Sequence, residues 1–332
     1  MTTSSLTSDS PVQPRSSLAA WTQLVRLPNL FTVLADVSAA FLLVAHGPFP
    51  LGRFACVLIA GVLLYWAGMV LNDVFDVERD RQERPTRPIP AGDISISQAT
   101  IAGWTLLIAG IVLAAASGLI SSSQFAVTWL PGLVALVLAV MIVLYDGPLK
   151  KTPLAPAAMG SCRVLSFLLG ASPCIAMVAG EALFPQHVMA IALGFGVYIM
   201  GITTMARREA VGETGAWAGL NITTGFVVML VGMGIIAFGP SVSGDQVNWR
   251  MDPHNAYPIL VGLISLPVAL RALKIQTAPT PKNIQNAIRA GILSIIPLAS
   301  AVALLGAGRI AAICVFALVV PAIILAKRLR VT

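Results

Sequence analysis

Apolar residues in this chain run together instead of alternating with polar ones. Long stretches nearly free of charge recur at Asn29 to Ala45, Leu51 to Leu71, Ile96 to Ile120, Phe125 to Leu144, Ala157 to Ala179, Val188 to Met205, Gly215 to Phe238, Tyr257 to Leu270, Ala287 to Ala307 and Arg309 to Leu325. Most approach the ~20 residues that a helix needs to cross a bilayer. A backbone in hydrocarbon must satisfy its own hydrogen bonds, and none of these runs shows the two-residue alternation of a barrel strand. The pattern therefore predicts an all-α, polytopic transmembrane bundle of nine spans, with a tenth run at the C-terminus.

Composition supports the same solvent. The 332 residues are 57% hydrophobic and 11% charged, with a mean hydropathy of +0.86, which excludes a soluble domain of ordinary surface. Met1 to Ser17 is rich in Ser, Thr and Pro and lacks the basic start and cleavage site of a signal peptide, so 1–17 is expected to be a disordered cytoplasmic tail. The remainder, 18–332, is then a single transmembrane domain. Leu18, Trp21, Leu24 and Val25 mark one apolar face, which suits a short helix in the headgroup layer or an extension of the first span. Cys56, Cys162, Cys174 and Cys314 fall in apolar runs without paired spacing and read as small buried hydrophobes.

Numbering the loops from a cytoplasmic N-terminus places Arg79, Arg81, Arg84, Arg87, Lys150, Lys151, Arg207, Arg208, Arg271, Lys274, Lys282, Lys327, Arg328 and Arg330 on one side. Arg53, Arg250 and Arg309 are left on the other. Lys and Arg near span ends are retained in the cytoplasm, so both termini are expected there, in the inner (plasma) membrane. His46, His187 and His254 then lie on the outer side, which argues against histidine ligation or acid–base work. The net charge of +7 is a topology signal and an attraction to anionic headgroups, with nothing in favour of nucleic acid.

Chemistry concentrates at the end of the second run, where Asn72, Asp73, Asp76 and Asp80 share about a third of a helix circumference, followed by Arg84, Pro85, Thr86, Arg87 and Pro88. A generic acidic turn is a solvated helix end. Carboxylates this close, emerging from an apolar span, repel one another unless a cation joins them. Mg2+ takes oxygen ligands and usually binds through one or two carboxylates plus substrate phosphates, so Asp73, Asp76 and Asp80 are the candidate metal ligands. The reaction that suits this arrangement is departure of diphosphate from an allylic isoprenoid.

Asn72-Asp73-x-x-Asp76-x-x-x-Asp80 followed by Arg84-Pro85-x-Arg87-Pro88 resembles the first aspartate-rich motif of the UbiA prenyltransferase superfamily. The resemblance extends from Arg26-x-Pro28-Asn29 to the stretch Lys282 to Ala290. It implies helices around a central cavity, Mg2+ as cofactor, and transfer of an isoprenyl group from a polyprenyl diphosphate to an aromatic or lipid acceptor. Tyr145 and Lys150, in Tyr145-Asp146-Gly147-Pro148-Leu149-Lys150, are similar to the family's element that approaches the diphosphate, though Lys150 also suits a membrane anchor. Arg163, within an apolar run, should face a partner or a wet cavity rather than snorkel. Asn29 and Asp36 share a face of the first span, with cavity lining and an interhelical hydrogen bond both open for Asp36. Arg289 and Asn286 are weaker candidates.

The family's second aspartate-rich motif should follow the sixth span, where the chain reads Arg207-Arg208-Glu209-Ala210-Val211-Gly212-Glu213. Glu209 and Glu213 suit a second Mg2+, while Arg207 and Arg208 suit direct pairing with phosphate. The altered motif resembles an EboC-like branch. It also fits a rival function, a non-catalytic isoprenoid-diphosphate binder or transporter. A CDP-alcohol phosphotransferase is set aside because the Asp146-Gly147 pair does not continue that signature. The expected site is therefore Asp73, Asp76, Asp80, Arg163 and Lys150 for chemistry, with Asn29, Asn72, Arg84, Arg87, Tyr145, Arg207, Arg208 and Glu209 around the substrate.

Overall fold

The computed structural model describes residues 16–211 and 216–328; the side chains of 207–211, 216–220, 244–246 and 328 lie outside the description, as does almost all of the predicted tail. Among the described residues there are helices and no strands. They run α1 (Ser17–Leu24), α2 (Leu30–Ala45), α3 (Leu51–Phe75), α4 (Val77–Glu83), α5 (Ile96–Leu119), α6 (Leu130–Leu144) and α7 (Ala155–Ala171). Then follow α8 (Gln186–Val211), α9 (Ala216–Phe238), α10 (Ala256–Thr277), α11 (Pro281–Leu293), α12 (Ile295–Ala307), α13 (Arg309–Ala317) and α14 (Val319–Arg328). Among the described residues, nine segments are long and apolar enough to cross a membrane. The 17-residue α7 accounts for the remaining run of the sequence pattern.

Prolines punctuate this pattern. Pro148, Pro297 and Pro321 each stand four residues after the last residue of a helix, Leu144, Leu293 and Ala317. A proline ring clashes with the carbonyl four residues back and supplies no N–H, so the regular ladder yields there. At Ser294 and Leu318 the chain merely breaks and resumes, which turns the ninth and tenth runs into α11–α12 and α13–α14. After Leu144 it widens into a π-helical turn over Tyr145–Leu149.

The N-terminal amphipathic stretch forms its own helix. Ser16 caps α1, and Arg26, held in the left-handed region at φ 47°, separates it from a 3₁₀ turn at Leu27–Asn29 that leads into α2. Such a backbone conformation costs of order 1 kcal/mol or more for a residue with a Cβ. Ala20 and Leu24 of α1 pack with Val70, Ile89, Ile94 and Ala99, so the helix closes the end of the bundle that carries the aspartates.

Inside the bundle, α2, α8 and α12 are mostly buried, whereas α5, α10 and α13–α14 present continuous apolar faces outward. Ile259, Leu263, Leu266 and Leu270 on α10 recur at helical spacing and are each more than half exposed, as a lipid-facing stripe requires. Between α8 and α9, small residues let the backbones meet. A Cβ at Gly201 would lie 2.4 Å from the Met229 nitrogen, and one at Gly232 2.3 Å from the Tyr198 nitrogen. Lipid gives helices little hydrophobic reason to associate, so this close dispersion contact takes over that role.

Two arginines, one buried and one half-buried, brace the rest. Arg53, fully buried near the start of α3, donates to the carbonyls of Ile120, Phe125, Ala126 and Pro173 at 2.5–3.1 Å, tying two loops to one helix. Arg163 of α7 pairs with the fully buried Asp36 of α2 and also reaches the Thr32 hydroxyl at 3.3 Å. Of the two openings for Asp36 the structure shows the interhelical bond: Asp36 is fully buried behind Arg163, and Arg163 and Thr32 form the cavity wall.

Two outcomes follow for thermal unfolding of the purified protein. Gly201→Ala lowers the midpoint, whereas Gly262→Ala, with nothing within 4 Å of the added Cβ, leaves it unchanged or higher. Arg163→Met strands a buried carboxylate and costs about 3 kcal/mol or more, and Asp36→Asn combined with Arg163→Met recovers most of that loss.

Candidate functional site

The end of α3 delivers its polar residues to one corner. Asn72 and Asp73 are in the last turn of α3, the helix breaks at Asp76, and α4 carries Asp80. Across that break Asp73 and Asp80 still converge on one guanidinium nitrogen of Arg87, while Asp76 turns to Lys150. Asp73 accepts from Arg26 and from Arg87, each at 3.2 Å. Asp80 accepts from Arg87 at 2.6 Å, and Asp76 pairs with Lys150. Among the described residues, no three Asp, Glu, His or Cys side chains already converge as a metal centre.

Local sequence explains each placement. The loop after α4 turns on Pro85, Pro88 and Pro90, and the Pro88 carbonyl accepts from the backbone of Asp93 and Ile94 at 3.0 and 3.3 Å. The folded loop leaves Arg84 exposed and brings Arg87 back between two aspartates. The π-helical turn directs Asp146 inward and continues straight into Lys150. The strained Arg26 donates to Asp73, and its carbonyl accepts from the Tyr65 hydroxyl at 3.2 Å.

Next to this corner lies a cavity of about 290 Å3 lined by Arg26, Asn29, Tyr145, Asp146 and Arg163 at its polar end. Val33, Leu64, Leu138, Ile142 and Ile295 line its apolar depth. The volume falls at the small end of ligand pockets, which run from about 300 to 1,000 Å3. Arg163 is held by Asp36 on this wall rather than standing free. The sequence-predicted residues thus fall into two connected groups, with Asp73, Asp76, Asp80, Arg87 and Lys150 in the charged corner and Asn29, Tyr145 and Arg163 in the cavity. The side chains of Arg207, Arg208, Glu209 and Glu213 lie outside the described residues.

Asp146 joins the groups and was missed by sequence reasoning. One of its oxygens accepts from the Asn72 amide at 2.8 Å, while its Oδ2 is buried without a partner. It lies near enough to Asp76, Lys150 and Arg26 to feel their charges. The signal was present, since Asp146 is an acid at the end of an apolar span, as Asp73 is. Arg26 belongs to the Arg26-x-Pro28-Asn29 stretch, and its left-handed backbone leaves no signal in the sequence.

The corner suits a hard cation. Four carboxylates, Asp73, Asp76, Asp80 and Asp146, face three bases, Arg26, Arg87 and Lys150, and one buried carboxylate oxygen is unsatisfied. A buried, unpaired acceptor is costly unless a proton or cation meets it. All donors in this corner are oxygens, the ligands Mg2+ prefers.

Residues 32–213 match the model of the UbiA prenyltransferase family. A digeranylgeranylglyceryl phosphate synthase of Methanosarcina barkeri is 35% identical over 127 residues, 38% of this chain and 40% of that protein. The match therefore spans well under two thirds of that relative's length. The synthase of Methanoculleus marisnigri is 29% identical over 314 residues, 91% of this chain and 98% of that one. The structure of a UbiA homolog from Archaeoglobus fulgidus bound to GPP and Mg2+ has a TM-score of 0.59 at 13% identity, covering 90% of this chain and 99% of that one. At that identity the likeness is one of fold. With more than half of its residues under the family model, this chain belongs to the UbiA prenyltransferase family.

Proposed function

We propose that this chain transfers an isoprenyl group from a polyprenyl diphosphate to a lipid or aromatic acceptor, with Mg2+ held at the aspartates. The observation that carries the reading is the continuity of the charged corner with a cavity that becomes apolar with depth, Asp146 belonging to both. A diphosphate head and a hydrocarbon chain need those two environments side by side.

In this reading Asp73, Asp76 and Asp80 are the carboxylates that hold the metal, and the free Asp146 oxygen is a further donor. Magnesium bound there would supply positive charge against the departing diphosphate. Lys150, Arg26 and Arg87, now occupied by the acids, are the positive charges available to phosphate oxygens, with Arg84 exposed beside them. Arg207, Arg208 and Glu209 are proposed to approach the same diphosphate from the end of α8. Asn72 keeps Asp146 oriented through its amide. Val33, Leu64 and Leu138 exclude water from the allylic carbon, so the acceptor rather than water forms the new bond. The C–O bond to diphosphate breaks with its electron pair leaving on oxygen, and the acceptor loses a proton.

Relatives named digeranylgeranylglyceryl phosphate synthase favour a glyceryl phosphate lipid over an aromatic acceptor. The distribution of Lys and Arg supports an inner-membrane protein with both termini in the cytoplasm and the charged corner facing it. A second reading, a non-catalytic isoprenoid-diphosphate binder, draws on the fact that Asp73, Asp76 and Asp80 all carry ion pairs.

Purified protein with an allylic diphosphate, Mg2+ and an acceptor is expected to release pyrophosphate, and chelation of the metal stops it. Asp76→Ala reduces turnover by about 100-fold or more; full turnover in that variant removes the assigned role. Radiolabelled geranylgeranyl diphosphate chased into membrane extract should yield a new labelled lipid. Tight retention of label with no product supports the binder instead.

A further inference from the structure

A second cavity, of about 620 Å3, opens between α10, the α11–α12 junction and the α13–α14 junction. It shares only a wall with the first. Ile292 and Ile295 line the first cavity and Ser294 the second, so the broken helix α11–α12 separates them. Much of the lining is apolar, including Ile264, Phe316 and Val319. One part differs, because Arg271 and Lys274, three residues apart on α10, border the cavity together with Asn286 of α11.

The charge there has no internal answer. From Pro253 to Thr332 the sequence contains no Asp or Glu, yet it carries Arg271, Lys274, Lys282, Arg289, Arg309, Lys327, Arg328 and Arg330. Among the described residues neither Arg271 nor Lys274 forms an ion pair, and Arg271 reaches only the Pro267 carbonyl of its own helix, at 3.4 Å. With α7 counted as a crossing, the chain passes through α5, α6, α7, α8, α9 and α10 between the end of α3 and the end of α10, six crossings, so these bases emerge on the same face as the aspartates. They are thus at bilayer-edge depth, at the end of an apolar groove wide enough for a drug-sized hydrocarbon.

We infer that this groove binds a phosphate-headed anionic lipid, its headgroup on Arg271 and Lys274 and its chains along Ile264, Phe316 and Val319. Charge complementarity selects the anion. The apolar lining selects an amphiphile over a free ion, since inorganic phosphate would leave most of the cavity unfilled. The site is separate from the prenyl-diphosphate cavity and does not depend on the reaction assigned there.

The test uses the full-length protein purified in detergent, with lipid retention measured by native mass spectrometry and by shift of the thermal midpoint. Dioleoyl phosphatidylglycerol should be retained in preference to dioleoyl phosphatidylcholine. Arg271→Gln with Lys274→Gln should weaken retention by roughly 30-fold, about fivefold for each base removed. Lys327→Gln, a base elsewhere on the chain, should behave as wild type, and Val319→Trp should lower retention by filling the groove with both bases intact. Equal retention of the two lipids overturns the inference, as does unchanged phosphatidylglycerol binding in the double variant. Inorganic phosphate producing the whole stabilisation would assign the bases to a free anion and overturn it as well.

Discussion

Ionised side chains inside an apolar bundle survive only in the company of opposite charge or dense hydrogen bonding, and this requirement organises the molecule. An uncompensated buried ion costs several kcal/mol, comparable to the whole stability of an ordinary domain. Asp36 meets Arg163, Asp73 meets Arg26 and Arg87, Asp76 meets Lys150, and Arg53 meets four carbonyls. Every one of these bonds except the Asp73–Arg87 pair joins segments dozens of residues apart. Because helices in lipid gain little from burying apolar surface against one another, such bonds help decide which helix stands beside which.

The same requirement poises the candidate site. Its acids are neutralised by bases contributed by the turn before α2, the proline-rich loop after α4 and the π-helical end of α6. Those bases are also the groups a diphosphate would attract. A metal on the carboxylates and a diphosphate on the bases would exchange partners while leaving each charge beside an opposite one. The surplus carboxylate oxygen of Asp146 biases this balance toward a cation.

Shape comes from two residue types with opposite effects on a helix. Glycines at Gly201 and Gly232 bring α8 and α9 to backbone contact, and this tight packing leaves no space between them. Prolines at Pro148, Pro297 and Pro321 interrupt helices, and both cavities border such interruptions. Close packing on one side and broken helices on the other give a membrane bundle with defined internal volumes.

The sequence by itself determined the solvent, the helical class, the approximate spans and the acidic corner. Those follow from local quantities: runs of apolar residues as long as a bilayer is thick, and carboxylates at its edge that demand counter-charge. Many helix ends were legible within a few residues, but α7 stops eight residues before the end of its apolar run, α10 continues seven past its own, and the breaks at Ser294 and Leu318 leave no mark because the apolar pattern continues across them. Only the tertiary structure decided which base answers which acid, since Arg26 with Asp73, Lys150 with Asp76 and Arg163 with Asp36 lie between 47 and 127 residues apart. It alone revealed Asp146 as the residue linking corner and cavity, and Arg53 as a buried brace instead of a loop cation. Pairing of this kind depends on which helices are neighbours, and neighbour choice is a property of the packed bundle that no single segment encodes.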